Sequence, residues 1–314
     1  MMKILIVDPV HRIMIDKLEE KGFQVSYQPE ISPRGIQDQI ETYEGLVIRS
    51  KMVIDQDVID RAVNLRFIGR VGSGMENIDQ GYAGKKNILC FNSPEGNRDA
   101  VGEHALGLLL SLINRIPVAN RDVRSGIWDR EANRGTEIKG KTIGIIGYGH
   151  TGSAFAEKLI GLGTNIIAYD KYKFNYGSSL VKEKTMEALF DEADVLSLHV
   201  PLTSETHYLV NNRFLKRFRK PILLINTSRG QVVQTEDLVE NLKSGKITGA
   251  ALDVLEYESH TFEELHKARE LPRPLMDLAR MDQVILTPHV AGWTHESYRK
   301  LSEIIANKIL SNLF

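Results

Sequence analysis

Residues 142–152 read Thr-Ile-Gly-Ile-Ile-Gly147-Tyr-Gly149-His-Thr-Gly152, and the chain continues as SAFAEKLIGLG to residue 163. A β-branched run, a glycine-spaced turn and a helical pattern follow in that order. Together they are the opening of a dinucleotide-binding βαβ unit. The first glycine permits the tight turn, the second lets backbone approach a pyrophosphate, and the third allows close helix–strand packing. The helix that follows offers its unpaired N–H groups and positive dipole end to the phosphates. Asp170 ends the next strand pattern, NIIAYD, at about 20 residues' distance from the loop. A carboxylate there accepts hydrogen bonds from the adenosine ribose and repels a 2′-phosphate, which predicts NAD rather than NADP. Lys171 and Lys173 weaken that preference.

Outward from this loop the same alternation continues. Strands are predicted at Thr142–Ile146, Asn165–Tyr169, Val195–His199, Ile222–Asn226, Gly249–Asp253 and Val284–Thr287. A second alternation precedes it, with strands at Ile4–Val7, Leu46–Ile48, Phe67–Val71 and Ile88–Phe91 and helices at Ile13–Lys21 and Val58–Ala62. Buried strands joined by helices imply parallel sheets covered on both faces. Between the two halves, Asp99–Arg115 is an unusually apolar helix with Asp99 as its N-cap, packed on several sides. A second helix spans Arg115–Arg124, and Gly126–Lys141 is a polar connecting arm. The last helix runs from His295 to Leu313, with Thr294 as its cap.

The 314 residues suggest two domains. Forty Lys and Arg against forty-one Asp and Glu leave a formal net charge of −1. That balance gives no reason to expect nucleic acid or an anionic membrane as partner. A single cysteine, Cys90, excludes an intrachain disulfide framework and reads as a small buried apolar residue. No cysteine cluster or His-x-x-x-His pair suggests a metal site. The N-terminus MMKILIVDP does not read as a signal peptide, and the apolar run Ala105–Ile113 is too short to span a bilayer. A cytoplasmic protein is expected.

In open α/β sheets, ligands sit beyond the carboxyl ends of the strands. Asp170, His199, Asn226 to Gly230, Asp253 with Glu258 just beyond, and His289 all fall at those ends. Core strands avoid such residues.

The segments LVIRS, VGSGMENID, GNRDAVGEHA, IGIIGYGHTG, HVPLTSET, INTSRG, ALDVLEYE and ILTPHVAG resemble, in order and spacing, the D-isomer-specific 2-hydroxyacid dehydrogenases. The resemblance runs from about residue 40 to the C-terminus. It implies a catalytic trio of Arg229, Glu258 and His289. Arg229 would hold a 2-oxo acid's carboxylate and polarise its carbonyl. His289 would exchange the proton, and Glu258 would orient the imidazole. Glu256 is a rival for the last role; the family's spacing selects Glu258. The family usually has proline after this glutamate, where the chain has Ser259. The resemblance also places His150 and Thr151 at the pyrophosphate turn, and His199, Val200, Pro201 and Thr206 at the adenine wall. It places Thr227, Ser228 and Asp253 near the nicotinamide, and Gly292 among the cofactor contacts. The charged stretch Ser259–Asp282 reads as a surface insertion or a lid.

The resemblance implies two doubly wound domains with the active site in the cleft between them. One is a Rossmann NAD-binding domain, residues 97–290. The other is a flavodoxin-like substrate domain, residues 1–96 and 291–314, with the last helix crossing back to it. A homodimer is expected from the family and the apolar helix, and Arg130 or Arg134 would reach a neighbouring subunit. The substrate is expected to be a small anionic acid. Gly72-Ser73-Gly74 follows a strand and offers backbone N–H groups to a carboxylate. Arg49, Ser50 and Lys51 follow another strand, and Arg70 precedes the glycine turn. In the family's phosphoglycerate dehydrogenases, arginines matching Arg49 and Arg70 contact the phosphate. Oxidation of D-3-phosphoglycerate, feeding serine synthesis, is therefore the first expectation. Glycerate dehydrogenase or hydroxypyruvate reductase activity is the second. Met52 and Trp293 add bulk that bears on the choice. A formate dehydrogenase is disfavoured, because that branch pairs its histidine with glutamine. The chain ends soon after His289, so a C-terminal regulatory domain and serine feedback are not expected. Dehydrogenase-like corepressors that sense NAD(H) keep the same trio and form an alternative of another class.

Overall fold

A computed structural model describes residues 2–258 and 271–313. Its strands are β1 Lys3–Ile6, β2 Gln24–Tyr27, β3 Gly45–Ile48, β4 Phe67–Arg70, β5 Leu89–Phe91, β6 Thr142–Ile146, β7 Asn165–Tyr169, β8 Val181–Glu183, β9 Val195–Leu198, β10 Ile222–Asn226, β11 Ile247–Leu252 and β12 Val284–Leu286. They form two all-parallel sheets, of five and seven strands. Among the described residues the chain divides into two compact units, residues 2–98 with 293–313 and residues 99–258 with 271–292.

In the first unit the strand order is β2-β1-β3-β4-β5, the flavodoxin-like order. Strand periodicity sorts its core into two layers. Leu5, Leu46 and Ile68 face one side with Ile36, Val58 and Ile59. Ile4, Ile6, Val47 and Phe67 face the other, where Leu301, Ile305 and Ile309 of the helix His295–Leu313 cover them. A reciprocal cap starts that helix: Ser297 N–H donates to Thr294 Oγ1 and Thr294 N–H donates to Ser297 Oγ, each at 3.0 Å.

In the second unit the order is β8-β7-β6-β9-β10-β11-β12, the Rossmann order extended by one strand. Ile143, Ile145, Ile166 and Ala168 pack beneath Phe155 and Leu159 of the helix His150–Leu159 and Ala105, Leu109 and Ile113 of the helix Arg98–Ile113. Leu196, Leu198, Leu224, Ala250 and Leu252 face a second layer that holds Leu215, Phe218, Leu238 and Leu278. The predicted fold class is present in both units.

Several elements differ from expectation. The strands β2 and β8 lie at sheet edges and are short and partly exposed, so no apolar run marks them. The apolar helix begins at Arg98, which moves Asp99 from the cap into the first turn. There its charge meets the helix dipole and lies 3.8 Å from Lys158. Of the stretch read as a lid or insertion, residues 259–270 lie outside the described residues. Arg273–Ala279 is a helix whose Leu275 and Leu278 are buried.

Candidate active site

Both sheets place their polar residues beyond the carboxyl ends of their strands, and the glycine loop lies where the strand order reverses, the position at which open α/β sheets bind ligands. In the second unit that point lies between β6 and β9. Gly147 leaves β6 with φ +89°, and a Cβ there would stand 2.4 Å from the carbonyl oxygen of His199 beyond β9. A Cβ on Gly152 would stand 2.0 Å from the carbonyl oxygen of Gly147. The turn therefore exists only with glycine at both positions. Gly149 precedes the helix that His150 and Thr151 begin, which points the N–H groups of that first turn into the loop. Asp170 directly follows β7, with both oxygens engaged. Oδ2 accepts from Tyr148 N–H at 2.8 Å, and Oδ1 accepts from Tyr172 and Lys173 N–H at 2.9 and 3.0 Å. The carboxylate is thus fixed beside the glycine loop by three backbone donors.

His199 is buried, stacks on Phe155 at 5.5 Å and pairs through Nε2 with Ser197 Oγ at 2.8 Å. Burial pushes its pKa down to about 3, so the ring is neutral. Val200 and Pro201 follow it. Thr206 Oγ1 donates to Pro201 O at 2.6 Å and accepts from Thr203 N–H at 2.8 Å, so its hydroxyl closes the 201–206 turn.

Beyond β10, Asn226 Oδ1 accepts from Ser228 N–H and Oγ at 3.0 and 2.7 Å, while Asn226 Nδ2 donates to Arg229 O at 2.9 Å. This buried amide fixes the bend that presents Thr227, Ser228 and Arg229. Thr227 Oγ1 is buried with no hydrogen-bond partner among the described residues. An orphaned buried hydroxyl at the same carboxyl-end edge of the sheet as the glycine loop fits a bound dinucleotide. Arg229 Nη1 donates to Ser228 O at 2.6 Å.

Asp253, 1% exposed, directly follows β11 and organises the turn after β12. Its Oδ1 accepts from Thr287 Oγ1 at 2.6 Å and Val290 N–H at 3.0 Å, and Oδ2 accepts from Ala291 N–H at 2.8 Å. Burial opposes its charge, but His104, Thr287 and the Ala291 and Val290 N–H groups hold the carboxyl below its usual range. His289 sits in this turn at φ 55°, a left-handed conformation uncommon outside glycine. Its Nδ1 lies 3.1 and 3.2 Å from the two oxygens of Glu258. Gly292 closes the same turn, three residues on. The rival Glu256 is committed elsewhere: it accepts from Tyr208 OH at 2.6 Å and from Thr235 N–H at 2.8 Å.

Sequence reasoning passed over His104, although it lies within the quoted GNRDAVGEHA. Its Nε2 stands 3.2 Å from Thr287 Oγ1 and 3.4 Å from Asp253 Oδ1. It braces the turn that carries His289.

In the first unit the strand order reverses between β1 and β3. Buried Asp8, just beyond β1, accepts on Oδ2 from the N–H groups of Arg49, Ser50 and Lys51 at 2.6, 3.2 and 3.3 Å. Asn77 donates to Arg49 O at 3.3 Å and Met52 O at 3.2 Å. Neither support was predicted. The Arg49 guanidinium lies 4.1 Å from the Trp293 ring centroid. Lys51 departs from expectation: its ammonium is bound to the carbonyls of Pro29 and Ile31. Arg70 folds over its own turn, where a Cβ on Gly72 would stand 1.5 Å from Nη1. Gly72 N–H is spent on Arg70 O at 2.9 Å, contrary to the expected cradle. The N–H groups of Ser73 and Gly74 have no acceptor among the described residues. Ser73 itself is anchored through Oγ to Asn97 Oδ1 at 2.6 Å.

Among the described residues, no helix is long and apolar enough to cross a membrane, and no cluster of side chains could hold a metal ion.

Residues 106–291 match the model for the NAD binding domain of D-isomer specific 2-hydroxyacid dehydrogenases. The chain belongs to this family, and NAD is its cofactor. It is 34% identical over 312 residues to D-3-phosphoglycerate dehydrogenase of Archaeoglobus fulgidus, covering 99% of this chain and 57% of that protein. The chain thus spans little more than half the length of that relative. It is also 34% identical over 307 residues to glyoxylate reductase of Thermococcus litoralis, covering 94% of this chain and 89% of that protein. Among solved structures, the TT0316 protein from Thermus thermophilus has a TM-score of 0.83 at 28% identity, covering 99% of this chain and 97% of that one.

Proposed function

We propose that the chain interconverts a small anionic D-2-hydroxy acid and its 2-oxo acid with NAD(H). The observation that carries this reading is the Glu258–His289 pair, set on a braced turn in the unit that binds NAD. In reduction, bound NADH supplies a hydride to the carbonyl carbon. Arg229 holds the substrate carboxylate and polarises the carbonyl oxygen. His289 delivers a proton from Nε2 to that oxygen, because Nδ1 is directed at Glu258. Glu258 fixes the ring and balances the imidazolium. Oxidation runs the same steps in reverse.

D-3-phosphoglycerate is the preferred substrate of this reading, with serine synthesis as its setting. Arg49, Arg70 and the Ser73 and Gly74 N–H groups are its anion contacts, with Ser50 beside them and Gly72 leaving room for the Arg70 guanidinium. A second reading, hydroxypyruvate or glyoxylate reduction, is favoured by the diversion of Lys51, which leaves fewer cations for a phosphate. Curated relatives carry names of both kinds. The reading includes a homodimer. Support comes from Ile116, Val123, Ile127 and Trp128, apolar side chains at least half exposed, with Trp128 at 80%.

The test is NADH oxidation against phosphohydroxypyruvate, hydroxypyruvate, glyoxylate, pyruvate and 2-oxoglutarate, with wild type and Arg70→Ala. Phosphohydroxypyruvate should give the highest kcat/KM. Arg70→Ala should lower it about a hundredfold, against tenfold or less for hydroxypyruvate. Equal losses on both would favour the second reading. No turnover on any acid would leave an NAD(H)-sensing corepressor-like role.

A further inference from the structure

Two lysines follow Asp170, and in sequence both count as attractions for a 2′-phosphate. The structure places both ammonium groups on other partners. Lys173 Nζ donates to Tyr148 O at 3.2 Å and lies 5.4 and 6.0 Å from the centroids of Tyr148 and Tyr176, rings that stack at 4.6 Å. Lys171 Nζ stands 2.7 Å from Glu205 Oε2. The same carboxylate oxygen accepts from Tyr172 OH at 2.6 Å. One acid, distant in sequence, therefore occupies the two side-chain donors that directly follow Asp170.

The placement of Glu205 is built rather than incidental. It sits in the 201–206 turn that Thr206 closes, and its own N–H donates to Thr203 Oγ1 at 3.3 Å. That turn leaves β9, the strand that pairs with β6 beside the phosphate loop. Sites that take the 2′-phosphorylated coenzyme supply a cation near the ribose. Here the cation is present, and an ion pair satisfies it.

We infer that Glu205 is a second determinant of coenzyme choice: it sequesters Lys171 and Tyr172, so that Asp170 alone meets the adenosine ribose. The inference rests on the assignment of Asp170 to that ribose. Asp170 repels a 2′-phosphate directly, whereas Glu205 removes the groups that would bind one. The Thr206 hydroxyl then serves this selection through the turn that aims Glu205.

The test is direct titration of NADH and NADPH, read by coenzyme fluorescence, without substrate. Glu205→Gln should tighten NADPH about five- to tenfold and leave NADH within about twofold, which also reports an intact fold. The double variant Lys171→Ala/Glu205→Gln should lose that gain. An unchanged NADPH-to-NADH ratio in Glu205→Gln would overturn the inference. So would a gain that persists in the double variant, because removing one negative charge would then suffice. Asp170→Asn separates the underlying assignment. A gain in NADPH with Asp170→Asn and none with Glu205→Gln overturns only the role of Glu205. No gain with Asp170→Asn overturns the ribose assignment itself.

Discussion

The charge on a side chain is visible in a sequence, but its partner is not. Glu256 and Glu258 show this at two residues' separation. Both are acids just beyond a strand, and only the family's spacing chooses between them. In the fold, Glu256 holds Tyr208 and the Thr235 backbone, while Glu258 faces the imidazole. The two substitutions to glutamine should therefore differ in kind. Glu258→Gln should lower kcat by about two orders of magnitude with NADH binding and melting temperature nearly unchanged. Glu256→Gln should keep kcat within a fewfold and lower stability by about 1–2 kcal/mol, because a charged acceptor is lost from two hydrogen bonds. Steady-state kinetics beside thermal melts check both. A large kcat loss confined to Glu256→Gln would exchange their roles. Lys51, Lys171 and Lys173 teach the same lesson in the other sign. Each reads as an available cation, and each ammonium is bound to another group of its own unit. Asp8 shows the limit for aspartates: it has no motif around it, and what sets it apart from surface acids is its burial and the backbone N–H groups gathered on it.

At the scale of elements, legibility follows the apolar run, which burial favours: the edge strands β5 and β12 are only partly buried yet carry one and are legible. Strands β1, β3, β4, β6, β9 and β10 are covered on both faces, so they appear as short, predominantly apolar runs without strict alternation. The edge strands β2 and β8 need no such run and were passed over. The last helix was legible because Leu301, Ile305 and Ile309 recur at helical spacing. Its partner sheet came from the family resemblance alone, since nothing in periodicity says which sheet a helix covers. Ile305 is fully buried against β4, among Ile4, Ile6, Val47 and Phe67. Ile305→Ala should cost about 2–4 kcal/mol, from lost burial and the cavity left behind. The binding unit for NADH has its own core, so the Kd for NADH should stay within about twofold. Calorimetry and coenzyme titration check this. A loss of NADH affinity matching the loss of stability would show that the two cores do not act separately.

For the molecule as a whole, near-balanced charge has a consequence for acid stability. With a net charge of −1, self-repulsion is small near neutral pH, so early acid losses come from particular groups rather than from the overall field. Buried His199 is such a group. Its pKa is held at about 3 in the folded chain, while an unfolded histidine titrates near 6.5. Between those values the unfolded chain binds the proton and the folded chain does not, so stability rises with pH. The contribution is complete above about pH 6.5 and declines as pH falls. At pH 5 the loss amounts to about 2 kcal/mol. Replacing His199 by glutamine removes the titration and keeps a polar group within reach of Ser197. The variant should be less stable than wild type at pH 7, because the stack on Phe155 is lost. Its stability should nevertheless fall less steeply from pH 7 to pH 5, by about 2 kcal/mol. Urea unfolding at pH 5, 6 and 7 measures both slopes. Parallel slopes in wild type and variant would mean that His199 is protonated in the folded chain, and the neutral imidazole beside the phosphate loop would have to be abandoned.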